Sequence, residues 1–348
     1  MHNPRFSVLC LALACAAMAP AHAAPSLESY ALSAGGRSML GAAGPPFSCS
    51  TYGPDARTAY FQGIFQVALP TDGSVCGVGT DSRNATASSG TVQVAATLAV
   101  GFGTPGDLRT FVGSAAGRAG YGDLGASAAA SYTGTSDGFT VAGSQAFGLQ
   151  TETMTFSGAT GGGIFRPTFT VDGSLFNVGR TESELGFHYS VDNGPHFLAF
   201  RIQNRRGAIT YYTPGGFVAS LPGMSVTGDL VNGLNVSGST TFFIDIPIVF
   251  GTAVDVTYGL WAASLPRSSE GQLTASAGDV SFISSARMTG IDVYTAAGQA
   301  VTAFTVSAGS GTLYGAGGVV PEPATWLMMG LGLAVLCASA TRRTLRAS

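Results

Sequence analysis

Phe242-Phe243-Ile244-Asp245-Ile246-Pro247-Ile248-Val249-Phe250, Gly251-Thr252-Ala253 and Val254-Asp255-Val256-Thr257-Tyr258-Gly259-Leu260 form one continuous stretch with an apolar side chain at every even position outside the Gly-Thr-Ala break. A spacing of two puts those side chains on one face of an extended chain, whereas a helix needs a spacing of three to four. Two such runs across a three-residue turn predict a β-hairpin with one buried face. Pro247 falls on the opposite face and has no N–H to donate, which predicts an edge or bulged strand there. The same alternation recurs at Leu185, Phe187, Tyr189 and Val191, and at Phe165, Phe169 and Val171. Shorter runs at 60–69, 91–100, 197–202, 280–283, 291–294 and 301–306 are punctuated by Asp137-Gly138, Asp172-Gly173, Asn193-Gly194 and Pro214-Gly215, pairs that favour turns. The Ala-rich run 126–130 is too short to stand as a helix. The expected fold class is therefore all-β, an antiparallel sandwich or jelly-roll-like body. Residues 158–163, Gly-Ala-Thr-Gly-Gly-Gly, are the best internal linker, so two stacked β units also fit.

Composition narrows the function classes. Of 348 residues 50 are Gly and 45% are apolar, with aromatics at 10%, which is too apolar for charge-driven disorder. The 16 basic residues are all Arg, against 19 acidic ones. Without basic runs in the body, nucleic acid is excluded as a partner. Only the two ends carry uncharged apolar runs approaching membrane length, which excludes a multi-span membrane protein.

Residues 1–23 read as a signal peptide: His2 and Arg5, an apolar run from Phe6 to Ala19, then Ala21-His22-Ala23 as an Ala-x-Ala site with cleavage expected after Ala23. Residues 24–318 are the expected exported body, with 315–318 as a spacer before the tail. That body holds 18 acidic residues and 12 Arg, a formal −6 hidden by the whole-chain −3. Its two cysteines, Cys49 and Cys76, are expected to pair in an oxidising compartment. The bridge would close a 28-residue loop, worth about 3–4 kcal/mol on the loop-entropy account. The tail 319–348 has three parts: Val320-Pro321-Glu322-Pro323-Ala324-Thr325, an apolar segment over 324–340, and Arg342, Arg343 and Arg346 within the basic end 342–346. A helix over 324–340 would cover roughly 26 Å at ~1.5 Å per residue, enough for one bilayer crossing. Trp326 would sit at one interface and the arginines at the cytoplasmic side.

That tail resembles the PEP-CTERM sorting signal of Gram-negative bacteria, through Val320-Pro321-Glu322-Pro323-Ala324-Thr325-Trp326, the apolar stretch 327–340 and Arg342-Arg343. The resemblance implies Sec export and processing by an exosortase of the inner membrane. It makes Pro321, Glu322 and Pro323 the recognition element, and the cell surface or an exopolysaccharide-rich matrix the destination. It covers roughly the last 28 residues and names no activity for the body.

Candidate chemistry in the body is sparse. Gly101-Phe102-Gly103-Thr104-Pro105-Gly106 spells a dinucleotide-type glycine motif, but no helix follows to receive a pyrophosphate, so a strand turn is expected. Arg180, Glu182, Glu184 and His188 share one face of a strand, opposite Leu185, Phe187 and Tyr189. Glu182 and Glu184 would stand roughly 6–7 Å apart, compatible with the paired carboxylates of a glycosidase. The competing reading is the solvated side of a half-buried strand, and it is the expected one. Arg201, Arg205, Arg206, Tyr211 and Tyr212 fall in one expected hairpin turning at 204–207. They are candidates for stacking on sugar rings and pairing with uronate carboxylates. No metal site and no cofactor is read. The expected function is a non-catalytic surface or matrix protein associated with exopolysaccharide; the rival is a secreted polysaccharide-active hydrolase or lyase.

Overall fold

The computed structural model describes residues 22–36, 77–104, 107–134, 143–179, 181–205, 207–213, 215–229, 231–266, 274–315 and 318–320. Residues 1–21 of the expected signal peptide, Cys49, Cys76, Arg180, Arg206 and the tail from Pro321, with Glu322, Pro323, Arg342, Arg343 and Arg346, lie outside them.

The described residues form β1 (Ser26–Gly36), β2 (Gly77–Ala87), β3 (Thr91–Thr104), β4 (Asp107–Gly120), β5 (Asp123–Gly134), β6 (Gly143–Ser157), β7 (Gly162–Val178), β8 (Thr181–Val191), β9 (Phe197–Arg205), β10 (Ala208–Thr213), β11 (Gly216–Val218), β12 (Met224–Asp229), β13 (Gly233–Phe243), β14 (Ile246–Val249), β15 (Ala253–Pro266), β16 (Thr274–Thr295), β17 (Thr305–Ala308), β18 (Leu313–Gly315) and β19 (Gly318–Val320). The chain is all-β with antiparallel sheets, and no helix occurs among the described residues. One sheet runs β11-β10-β9-β8-β15-β6-β1-β2, with β17 also on β6. The second runs β12-β13-β7-β16-β5-β4-β3, with β14 on β7. The two pack face to face, and β18 pairs with β19 in a small hairpin.

The stretch 242–260 behaves as its period requires but not as a hairpin. Ile244, Ile246 and Ile248 are buried from the second sheet, while Val256, Tyr258 and Leu260 are buried from the first. Residues 250–252 therefore carry the chain from one sheet to the other. Both runs point into the space between the sheets, so a period of two is satisfied by an arch as well as by a hairpin. Pro247 is exposed on β14, which among the described residues pairs only with β7, the edge position its missing donor allows.

Two further expectations change. Residues 158–161 are the turn from β6 to β7, and strands on either side of it pair with each other: β6 with β15, and β5 with β16. Of the expected spacer 315–318, Gly315 pairs with Gly318, and Leu313 pairs with Val320; residues 316 and 317 lie outside the described residues. The Ala-rich run 126–130 lies in β5.

The interior has two textures. Towards β8, β15 and β13 it is aromatic: Phe169 and Phe187 lie 4.7 Å apart and Phe200 stacks on Phe242 at 5.3 Å. Towards β1, β4 and β5 it is made of small residues, among them Ala31, Ala146, Ala115 and Ala128, all buried. There the sheets approach so closely that a Cβ on Gly148 of β6 would strike the Arg118 carbonyl of β4.

Candidate functional site

β8 lies between β15 and β9, so its side chains meet neighbours on both flanks. The even-numbered residues do share one face, as alternation requires, but that face is not solvated. Glu184 is 3% exposed and His188 is fully buried; only Glu182 is half-buried. The expected solvent face is overturned because the adjacent strands supply their own side chains to it. Trp261 of β15, opposite Gly186, is 2% exposed, and Gln203 of β9, opposite Glu184, is 7% exposed. His188 sits across from Gly259, where any Cβ would run into the imidazole.

Register then brings two sequence candidates together. Glu182 stands directly opposite Arg205, Glu184 opposite Gln203, and Gly186 opposite Arg201. Across β10, Arg201 faces Tyr212, which in turn faces Phe217 of β11. Gln203 Nε2 donates to Glu184 Oε2 at 2.7 Å, and Arg201 Nη1 is 3.8 Å from Glu184 Oε1. The Arg201 guanidinium lies 5.9 Å from the Phe217 ring centre, and Tyr212 meets Phe217 edge to face at 5.5 Å. The five-residue hairpin group therefore divides. Tyr211 points inward at 4% exposure, while Arg201, Arg205 and Tyr212 line the outer face. Its turn is fixed by Asn204 Oδ1, which accepts the Gly207 N–H at 2.9 Å, an arrangement suited to Asn.

Burial dominates the electrostatics. It pushes the Glu184 carboxyl up to about 7, although Arg201 and the Gln203 bond pull the other way. It holds His188 down at about 3, helped by the neighbouring His196, whose ring lies 5.9 Å away. The cavity beside Glu184, lined also by Glu182, Gln203 and Arg205, measures about 10 Å³. That is room for one water and not for a sugar ring. A larger, open trough of about 460 Å³ lies on the second sheet, lined by Thr97, Val112, Ser114, Ser131, Phe176 and Asp279, with one carboxylate and no cation. Residues 101–104 of the glycine-rich run lie in β3, where Gly101 pairs with Thr110 and Thr104 with Asp107 of β4; residues 105 and 106 lie outside the described residues.

Sequence reading missed Gln203 and Phe217. Gln203 was within reach, since it lies between Arg201 and Arg205 on the same face. Phe217 follows Pro214-Gly215 directly, and a turn there returns the chain beside Tyr212.

Residues 319–343 match the PEP-CTERM protein-sorting motif. That motif implies an exported protein, sorted by an exosortase, with a membrane-anchored precursor. No curated protein and no solved structure matches the chain.

Proposed function

We propose that this chain is a non-catalytic protein of the cell surface or extracellular matrix that holds uronate-bearing exopolysaccharide on the outer face of β8–β11. The observation that carries the reading is the convergence of Arg201, Arg205, Tyr212 and Phe217 on one face. Arg pairs with carboxylates in a planar two-bond fork, and an exposed aromatic ring offers a sugar its apolar side. Phe217 is 69% exposed and so open to a partner. Glu182, half-buried on the same face and opposite Arg205, disfavours a densely sulfated polymer and suits spaced carboxylates. The sorting tail supplies the route: Sec export, then exosortase processing at Pro321-Glu322-Pro323.

A second reading, a polysaccharide hydrolase or lyase, is favoured by one observation: Glu184 has the near-neutral carboxyl that a general acid needs. The cavity of about 10 Å³ beside it counts against it. One experiment addresses both. The exported protein is applied to immobilised polyuronate and to neutral dextran, and the eluates are assayed for new chain ends. Selective retention on polyuronate, reduced at least tenfold in Arg201→Ala/Tyr212→Ala and weakened by salt, supports the binding role. Equal retention on dextran, or no loss in the variant, overturns it. Chain cleavage that disappears in Glu184→Gln establishes the enzyme instead.

A further inference from the structure

Asp255 of β15 carries a carboxylate that is almost wholly buried, at 4% exposure. Its partners are the first described residues of the chain. Oδ2 accepts the Ala23 backbone N–H at 2.7 Å, and Oδ1 lies 3.5 Å from His22 Nδ1. The Thr153 hydroxyl reaches Asp255 Oδ1 at 2.6 Å and the Ala23 carbonyl at 2.8 Å. One hydroxyl has one proton, so Thr153 serves only one of those acceptors at a time. The Ala23 amide is then the steady donor to Asp255. The strand itself is locked to β8 by reciprocal bonds: Asp192 N–H to the Asp255 carbonyl at 2.8 Å, and Asp255 N–H to Asp192 Oδ1 at 2.9 Å. Asp255 is thus held in place, with its carboxylate oxygens engaged by residues 22, 23 and 153.

Cleavage after Ala23 would remove both of those residues, and of these contacts to the Asp255 carboxylate only the Thr153 hydroxyl would remain. Ala19-Pro20-Ala21 is a second small-x-small site two residues earlier, with the same small side chains where signal peptidase needs them. We propose that export processing leaves His22 as the first residue of the mature protein, and that Asp255 with Thr153 is the receptor for that amino terminus. The inference rests on reading the chain's start as a signal peptide. Cutting before His22 creates an α-ammonium one residue from the amide that Asp255 already holds. It adds a cation beside the Asp255 carboxylate, and charge-assisted bonds of this kind are the strong ones.

The test is the full chain, expressed and exported in a Gram-negative host, with the product read by intact mass and N-terminal sequencing. The expected start is His22. A start at Ala24 overturns the inference while leaving the signal peptide intact; a product retaining residues 1–21 overturns the signal-peptide reading and the inference together. A second measurement probes the receptor. Ala19→Phe blocks the earlier site and forces the Ala24 start, and the product should unfold about 2–4 °C lower. Asp255→Asn in the wild-type background should lower the midpoint similarly, and adding it to Ala19→Phe should cost little more, because both remove one interaction. Full additivity overturns the receptor role. Should Asp255→Asn not fold, Thr153→Val, which removes only the hydroxyl, completes the same cycle.

Discussion

Glu184 and His188 lie four residues apart on one face of β8, and burial moves them in opposite senses with respect to pH. His188, held at about 3, stays neutral in the folded protein while the unfolded chain takes up a proton near pH 6.5. Its contribution to stability therefore falls as pH drops from 6.5 towards 3. Glu184, raised to about 7, keeps its proton in the folded protein between pH 4.5 and 7 while the unfolded chain has released it. Its contribution falls as pH rises through that window. Between pH 4.5 and 6.5 the two slopes oppose one another. Glu184→Gln removes one of them, so the variant should be more stable than the wild type at pH 8 by up to roughly 3 kcal/mol. It should also lose stability more steeply on acidification from pH 6.5 to 4.5. Urea unfolding across that range measures both, and superimposable profiles for the two proteins would refute the assignment. The sequence placed these residues on one face correctly, because alternation is a local property. It did not give their burial, because Trp261, which stands beside them, comes from a strand far along the chain, and alternation alone does not set the pairing of β8 with β9 that brings in Gln203.

Period-two patterning tells which face of a strand is buried but not which strand it pairs with, and that limit explains the fate of 242–260. An arch and a hairpin place the same side chains inward, so only the partner strands β7, β8 and β6 distinguish them. Glycine was similarly ambiguous. Some glycines do mark turns, but Gly148 lies inside β6 because the neighbouring sheet's backbone occupies the space its side chain would need. Gly162, on β7, has nothing nearer than Ala296 Cβ at 4.0 Å. The pair makes a test of the small-residue half of the interior. Gly148→Ala should part the sheets locally and cost about 1–3 kcal/mol, as overpacking does. Gly162→Ala should be neutral or stabilising by up to ~1 kcal/mol, through reduced freedom of the unfolded chain. Chemical denaturation of the two variants decides it, and equal effects would mean that the sheets have room to separate.

At the scale of the whole molecule, both ends of the described body close on adjacent residues of one strand. Thr153 of β6 faces Ala23, while the neighbouring Glu152 holds the segment that leads into the sorting tail. The Ser310 N–H donates to Glu152 Oε1 at 3.0 Å, the Ser310 hydroxyl donates to Oε2, and the Tyr314 hydroxyl reaches Oε2 at 3.4 Å. Tyr314 in turn pairs with Val319, the first residue of the matched motif and two residues before Pro321. Ala23 and the hairpin that runs into the matched sorting motif are therefore held at neighbouring positions of β6, and the last paired residue, Val320, directly precedes Pro321 in the sequence. None of this was legible in the sequence: residues 152 and 310 are a long way apart in the chain, and Gly315–Gly318 has the composition of a flexible spacer. Glu152 is wholly buried, and burial raises its carboxyl despite the bonds from Ser310 and Tyr314. Its hold on the segment should consequently weaken as pH rises above the usual carboxylate range. Glu152→Ala removes the acceptor for Ser310 and Tyr314 while leaving the strand pairings of both large sheets in place. Limited proteolysis of that variant should open new cuts within 309–320 while the rest of the body stays intact, and wild type should show the same cuts more readily at pH 8 than at pH 5. Loss of the whole body at one rate, with no early trimming of the end, would show instead that the segment is an inseparable part of the core.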